Sequence, residues 1–290
     1  MKNGIVDEIK SIFRFKDNLS ILIFLNICIF VVVSAIRLGF YFAGRPFDPT
    51  EWLGVSSNFD VLVCRPWTVL TYMFVHADFL HILFNLLVFF WFGKIFLEYL
   101  SQRQLLGVYI LGGLMGALFF IVAYNIIPIF APVKNVAFAI GASASIMAVV
   151  LAVAALVPNL SVRVAFIGHF KLKYLAIAIV LIDLLSIPLG NAGGHFAHLG
   201  GAFLGFLFAI CYAKGTDITA FMTRIFDRSG KKKLKYSYGG QSRFETDDEY
   251  NMRKAREQKD IDAILDKIKV SGYASLTDEE KEKLFRNSKN

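Results

Sequence analysis

Gly141-Ala142-Ser143-Ala144 opens an apolar run that continues to Val157. A hydroxyl between small residues, at the head of what reads as a membrane helix, is an odd choice for packing alone. His198 stands near the head of another apolar run, 196–213. Together they suggest a serine–histidine pair working inside a bilayer, with the rest of the chain as the scaffold that joins them.

The composition supports that setting. Of 290 residues, 56% are hydrophobic and 19% charged, and mean hydropathy is +0.55. Soluble domains carry about a quarter charged residues, and several runs here approach the roughly 20 apolar residues that cross hydrocarbon. The chain therefore reads as an all-α polytopic membrane protein. Its net charge of +8 collects at segment ends and in the tail, and its aromatics are mostly Phe within apolar runs. No nucleic acid is expected as partner, since that calls for a basic face with stacking aromatics. Cys28, Cys64 and Cys211 are odd in number and scattered, so they form neither a disulfide framework nor a metal site.

Six spans are expected, at 19–42, 79–97, 105–127, 142–157, 174–188 and 196–213, the fourth and fifth short for a full crossing. Residues 1–18, a cytoplasmic segment with Lys2, Lys10, Arg14 and Lys16, precede a run too long for a signal-peptide core, which reads as a retained anchor. Basic residues then sort the connections. Lys94 and Arg103 lie between spans two and three, Arg163, Lys171 and Lys173 between four and five, and Lys214, Arg224 and Arg228 after six. The opposite side holds Arg45, Arg65 and Lys134. Both termini are thus expected in the cytoplasm, and spans two, four and six run inward from outside. His81, Asn85, Ser143 and His198 then fall in one layer, the outward third of the membrane.

The first outer loop, 43–66, contains Trp52, Phe59 and Arg65. Loops this long are commonly functional or disordered; its apolar content favours partial insertion beside the bundle, with a plain surface loop as the alternative. Beyond the transmembrane domain at 19–213, residues 214–246 read as a flexible basic linker. There Lys231, Lys232 and Lys233 suit contact with anionic lipid, at about 1 kcal/mol per basic residue. Residues 247–290 read as a small soluble helical hairpin. Ile261, Ile264, Leu265 and Ile268 stand at helical spacing, Gly272 ends the first helix, and Thr277-Asp278-Glu279-Glu280 is a capping box opening the second.

Ser143 is the candidate nucleophile, although serines in membrane helices also bond the preceding turn or glue helices together. Ser145, two residues on, points to another face and is a built-in control. His198 is the candidate base, because an ionisable side chain in a span is costly and neutral imidazole tolerates low dielectric. Ala197, Gly201 and Gly205 form a small ridge at four-residue spacing, suited to close approach by Gly141, Ala144 and Ala148 of span four. His81 and Asn85, four apart, share a helix face and suit donation to a developing oxyanion, or a polar staple between helices. His76 and His195 are assigned to the outer rim. A zinc site built from His76, His81, His195 and His198 would lack a base in any His-Glu-x-x-His pattern, so no metal is expected. Asp183, a lone acidic residue in span five, is expected to pair with a polar neighbour or backbone near the outer end of that span.

Gly141-Ala142-Ser143, Ala197-His198-x-x-Gly201-x-x-x-Gly205 and His76-x4-His81-x3-Asn85 resemble the motifs of the rhomboid intramembrane serine proteases, over about residues 60–213. The resemblance implies a six-helix bundle with a water-filled cavity open outward, and a catalytic Ser143–His198 dyad with no aspartate. It also implies oxyanion donors from Ser143, His81 and Asn85. Substrates would be single-span membrane proteins, cut near the outer edge of their transmembrane segments, without cofactor. The tail is similar to that of bacterial, Bacteroidetes-like members and some plastid ones, which implies a bacterial cell membrane. Two positions depart from the pattern. Ala144 follows the nucleophile where many members have glycine, and Met147 stands where several carry a tyrosine stacked on the histidine, suiting a thioether–ring contact. The arginine motif of the first loop is also not recognisable. Two rivals remain: a catalytically inactive rhomboid-like scaffold that binds membrane proteins, and a small transporter, which predicts an internal repeat not found here.

Overall fold

The first three apolar runs start where a polar side chain meets the free N–H groups that every helix leaves at its first turn. In the computed structural model, described over residues 17–45, 47–164, 168–221, 263–264, 266–268, 275–277 and 279–281, Asp17 opens α1 (Asn18–Phe42) by accepting the Ser20 N–H at 2.7 Å. Asp78 opens α2 (Phe79–Tyr99) by accepting the His81 N–H at 2.9 Å. A reciprocal box between Ser101 and Gln104 opens α3 (Gln102–Ile126). The chain continues through α4 (Ser143–Leu156), α5 (Leu172–Ser186) and α6 (Ala192–Ala213). Five stretches (α1, α2, α3, Leu172–Leu189 and α6) are long and apolar enough to cross a membrane. The protein is an all-α integral membrane bundle.

The fourth helix differs from the other five. At 14 residues it reaches about 21 Å, less than the roughly 30 Å of hydrocarbon, and most of its side chains are buried. It can afford that central place because small residues surround it. A Cβ at Gly201 or Gly205 of α6 would overlap the carbonyl oxygens of Ala144 and Ala148, and Gly112 and Gly116 of α3 lie against the methyl groups of Ala148 and Ala144. Glycine ridges on two neighbours thus hold α4 from both sides.

Two short ladders complete the frame. Val55–Ser56 (β1) pairs antiparallel with Phe138–Ala139 (β2), in the register Val55 to Ala139 and Ser56 to Phe138. The Ser57 N–H extends the ladder to the Ala137 carbonyl at 3.1 Å. Over residues 47–66 the first loop is therefore structured, with backbone pairing to the segment before α4. Its short helical turns Thr50–Leu53 and Phe59–Cys64 are held by the Arg65 guanidinium over Trp52 at 3.9 Å and the Trp67 indole N–H on the Trp52 carbonyl at 3.0 Å. Ser161–Val164 (β3) and Gly168–Lys171 (β4) form a hairpin between α4 and α5 that the sequence reading did not anticipate.

Between α5 and α6 the chain reverses through a 3-10 turn, Ile187–Leu189, followed by Gly190 and Asn191 at φ 132° and 49°. This lets α6 begin at Ala192, four residues before the expected 196. The composition break at Ala213 does not end the packing either. Gln104 donates to Asp217 at 3.0 Å, and Thr219 is fully buried against Gly107.

The chain divides into two compact units, Met1–Gly230 and Lys231–Asn290. In the second, the Thr277 N–H donates to Glu280 at 2.8 Å and the Glu280 N–H to the Thr277 hydroxyl at 3.3 Å. This is the reciprocal capping pattern. The basic residues Lys2, Lys10, Arg14, Lys16, Arg224 and Arg228, the cluster Lys231, Lys232 and Lys233, and Ile261, Leu265, Gly272 and Asp278 lie outside the described residues.

Candidate active site

Ser143 is the first residue of α4, so the backbone N–H groups there have no acceptor within the helix. His198 lies on the second turn of α6, about 9 Å along its axis, deeper than a start at residue 196 implies. The two side chains meet: the Ser143 hydroxyl and His198 Nε2 are 2.6 Å apart. Ser145 points elsewhere, fully buried with its hydroxyl 3.8 Å from the Met73 sulfur.

A cavity of about 700 Å³ opens over this pair, with Asp78, His81, Asn85, Ser143, Asp183, Asn191 and His198 among its lining. Leu80, Phe84 and Val88 of α2 and Ile179 and Ile182 of α5 give it an apolar flank. Met147 lines the cavity too.

His81 is placed by two neighbours. Asp78 caps its turn, and the Ala77 N–H donates to its Nδ1 at 3.4 Å. A ring nitrogen that accepts carries no proton, so the His81 proton sits on Nε2. That Nε2 faces Gly141: a Cβ there would lie 3.0 Å from it and 3.5 Å from the Ser143 hydroxyl oxygen. Gly141 also has φ 129°, which side-chain-bearing residues rarely adopt, and its N–H is tied to the Tyr72 carbonyl at 2.9 Å. Asn85 donates one amide hydrogen to the His81 carbonyl at 3.0 Å and retains the other.

A link runs from this wall to the first loop. Arg37 of α1 grips both carboxylate oxygens of Asp48, at 2.8 and 2.9 Å, and donates to the Ala77 carbonyl at 3.0 Å. Burial raises the Asp48 carboxyl, but hydrogen bonds from Arg37 and Thr50 outweigh it and hold the group below its ordinary 3.8.

Three expectations need correction. His76 is not on the rim: it is 1% exposed, stands edge-on to the His81 ring at 5.1 Å, and burial with His81 nearby lowers its pKa from 6.5 to about 4. His195 is not on the rim either. Its Nδ1 is 2.7 Å from Asp183 Oδ1, and the same oxygen is 2.8 Å from His198 Nδ1. The expectation of no aspartate beside the pair therefore fails on geometry, because the tight α5–α6 reversal folds Asp183 back onto the His195/His198 face. Histidines three apart on α6, facing an antiparallel neighbour across a Pro188-Leu189-Gly190-Asn191 reversal, were the signal available in the sequence. Among the described residues, Asp183, His195 and His198 are also the group close enough to share an ion, with ligand atoms within 4.8 Å of one another. Each already has a hydrogen-bond partner within the group.

Residues 245–290 match a family of unknown function (DUF6576). The chain is similar to RHOMBOID-like protein 12, mitochondrial, of Arabidopsis thaliana, with 29% identity over 147 residues, 48% of this chain and 44% of that protein. The chain thus spans less than half the length of that relative. The rhomboid domain model matches residues 63–215, from the end of the first loop to the end of α6 and just over half of the sequence. A bundle with a short central helix, small-residue ridges and a polar cavity, matched over that length, belongs to the rhomboid family.

Proposed function

We propose that the protein is an intramembrane serine endopeptidase that cleaves transmembrane segments of single-span membrane proteins. The hydrogen bond of 2.6 Å between Ser143 and His198 at the cavity floor carries this reading. The Ser143 hydroxyl oxygen attacks a substrate carbonyl carbon as His198 Nε2 takes its proton. The resulting oxyanion is stabilised by the Ser143 backbone N–H, the His81 Nε2–H and the free Asn85 amide hydrogen. Collapse breaks the C–N bond, and His198 returns the proton to the leaving amine. Water then hydrolyses the acyl-enzyme by the reverse roles.

A peptide bond in a helix is shielded by its own backbone, so the segment must unwind locally to reach Ser143. The polar cavity supports that step by offering partners to freed backbone groups. Its apolar flank of Leu80, Phe84, Ile179 and Ile182 suits a helix arriving from the lipid side. No cofactor takes part in this chemistry. The distribution of basic residues supports an orientation with both termini in the cytoplasm and the cavity facing outward, and the tail's resemblance to bacterial members supports a place in a bacterial cell membrane. Anionic-lipid contact by Lys231, Lys232 and Lys233 belongs to the same reading.

Labelling with a fluorophosphonate probe tests it directly. Wild type and Ser145→Ala are expected to label and to cleave a transmembrane substrate, and Ser143→Ala and His198→Ala to do neither. Cleavage by Ser143→Ala at the wild-type rate would overturn the assignment.

A further inference from the structure

We propose that Asp183 and His195 hold His198 in the one orientation and tautomer that let it act as a base. The pair of Ser143 and His198 thereby becomes a line of three hydrogen-bonded side chains with an outer anchor. This rests on the reading of Ser143 and His198 as nucleophile and base.

Neutral imidazole carries one proton on either of two nitrogens. With the proton on Nε2, His198 would donate to Ser143 and be unable to accept from it. An ionised carboxylate only accepts, so Asp183 Oδ1 at 2.8 Å from His198 Nδ1 selects the Nδ1–H form. The lone pair of Nε2 is then directed at the Ser143 hydroxyl. During attack the ring becomes imidazolium, and a carboxylate at that distance stabilises the new charge without taking the proton itself.

His195 serves the carboxylate. Its Nδ1–H reaches the same Oδ1 at 2.7 Å, so one oxygen is held by two donors from adjacent turns of α6. Both rings and the carboxylate are largely buried, with side-chain exposures of 18, 22 and 10% for His195, His198 and Asp183. A carboxylate in the apolar body of α5 is costly unless its neighbours satisfy it, and here those two rings do so. Asp183 is thus a positioning residue, and His195 positions Asp183.

The test uses the full chain in detergent or liposomes, with a fluorogenic transmembrane substrate. Asp183→Asn and Asp183→Ala are expected to lower kcat by about 10²- to 10⁴-fold with KM unchanged, the range seen when the carboxylate of a serine–histidine–aspartate site is removed. His195→Ala is expected to lower kcat by about tenfold, the scale of an outer partner's effect. In ¹⁵N-histidine-labelled wild type, His198 should show its proton on Nδ1, and Asp183→Asn should move it toward Nε2. Wild-type kcat in both Asp183 variants, with Ser143→Ala inactive, would overturn this proposal and leave the simpler pair standing. Activity in Ser143→Ala would instead sink the reading beneath it. Loss of activity that tracks a fall in Tm, with the His198 tautomer unchanged, would reduce Asp183 to a structural role. Should the Asp183 variants not fold, the wild-type spectrum decides alone: a proton on Nε2 rejects the proposal.

Discussion

Gly201 of α6 sits so close to Ala144 of α4 that a methyl group on its Cα would overlap the Ala144 carbonyl oxygen. The obstacle is backbone, which cannot swing aside as a side chain can. Gly201→Ala must therefore push α6 away from α4, and with it His198 from Ser143. A cost of about 1–3 kcal/mol is expected from overpacking, with cleavage falling by a larger factor than that stability loss alone explains. Gly39→Ala is the control, since nothing lies within 4 Å of that position. Thermal unfolding and cleavage measured on both variants check the expectation, and equal Tm values would refute it.

His81 and Asn85 should not be equivalent. His81→Ala removes a donor whose proton is held on Nε2, and kcat is expected to fall by about 10²- to 10³-fold. Asn85 already gives one hydrogen to the His81 carbonyl, so Asn85→Ala both removes a donor and loosens that turn, with a smaller effect on kcat. Steady-state kinetics on the two variants decide the order.

Gly141→Ala meets two objections at once, its φ of 129° and the His81 ring at 3.0 Å. Backbone strain of this kind costs about 1–3 kcal/mol. Because the strained bond lies two residues before Ser143, fluorophosphonate labelling of that serine is expected to slow more than Tm falls. Labelling at the wild-type rate would show that the backbone relaxes without moving either side chain.

The Arg37–Asp48 contact predicts an acid limit for the first loop. A carboxyl held below its ordinary value adds stability that is complete above that value and is lost as pH falls through the folded-state value. Loop 43–66 should stay docked at neutral pH and loosen only below the ordinary carboxyl value of 3.8. Amide exchange across residues 52–56 reads this, and Arg37→Ala should give the same loosening at pH 7. Unchanged exchange in that variant would show that the ion pair contributes little.

Much of this fold is legible in the chain because hydrocarbon imposes a blunt rule: long apolar runs become helices. The helix starts that carry His81 and Ser143 are legible for the same reason, each lying where an apolar run begins. The start of α6 is less so. Ala192-Gly193-Gly194 has neither the hydropathy nor the helix propensity to announce a span, and only the reversal at Gly190 and Asn191 makes it one. The partner of Asp183 was hidden with it, because a reach across a tight turn leaves no periodic trace. His76 looked peripheral because its burial comes from loop packing, which sequence spacing does not encode. Two-residue strands such as Val55–Ser56 are too short to alternate, so the ladder to Phe138–Ala139 had no signature either.

That ladder couples distant stretches of the polymer. Ala139, zipped to Val55, is four positions upstream of Ser143, so Ser143 is moored to a segment more than eighty positions earlier. A ligand, an antibody or a lipid that prises the early segment loose would slacken the stretch that holds Ser143. Events at the first loop thus have a short mechanical route to the cavity that holds Ser143 and His198.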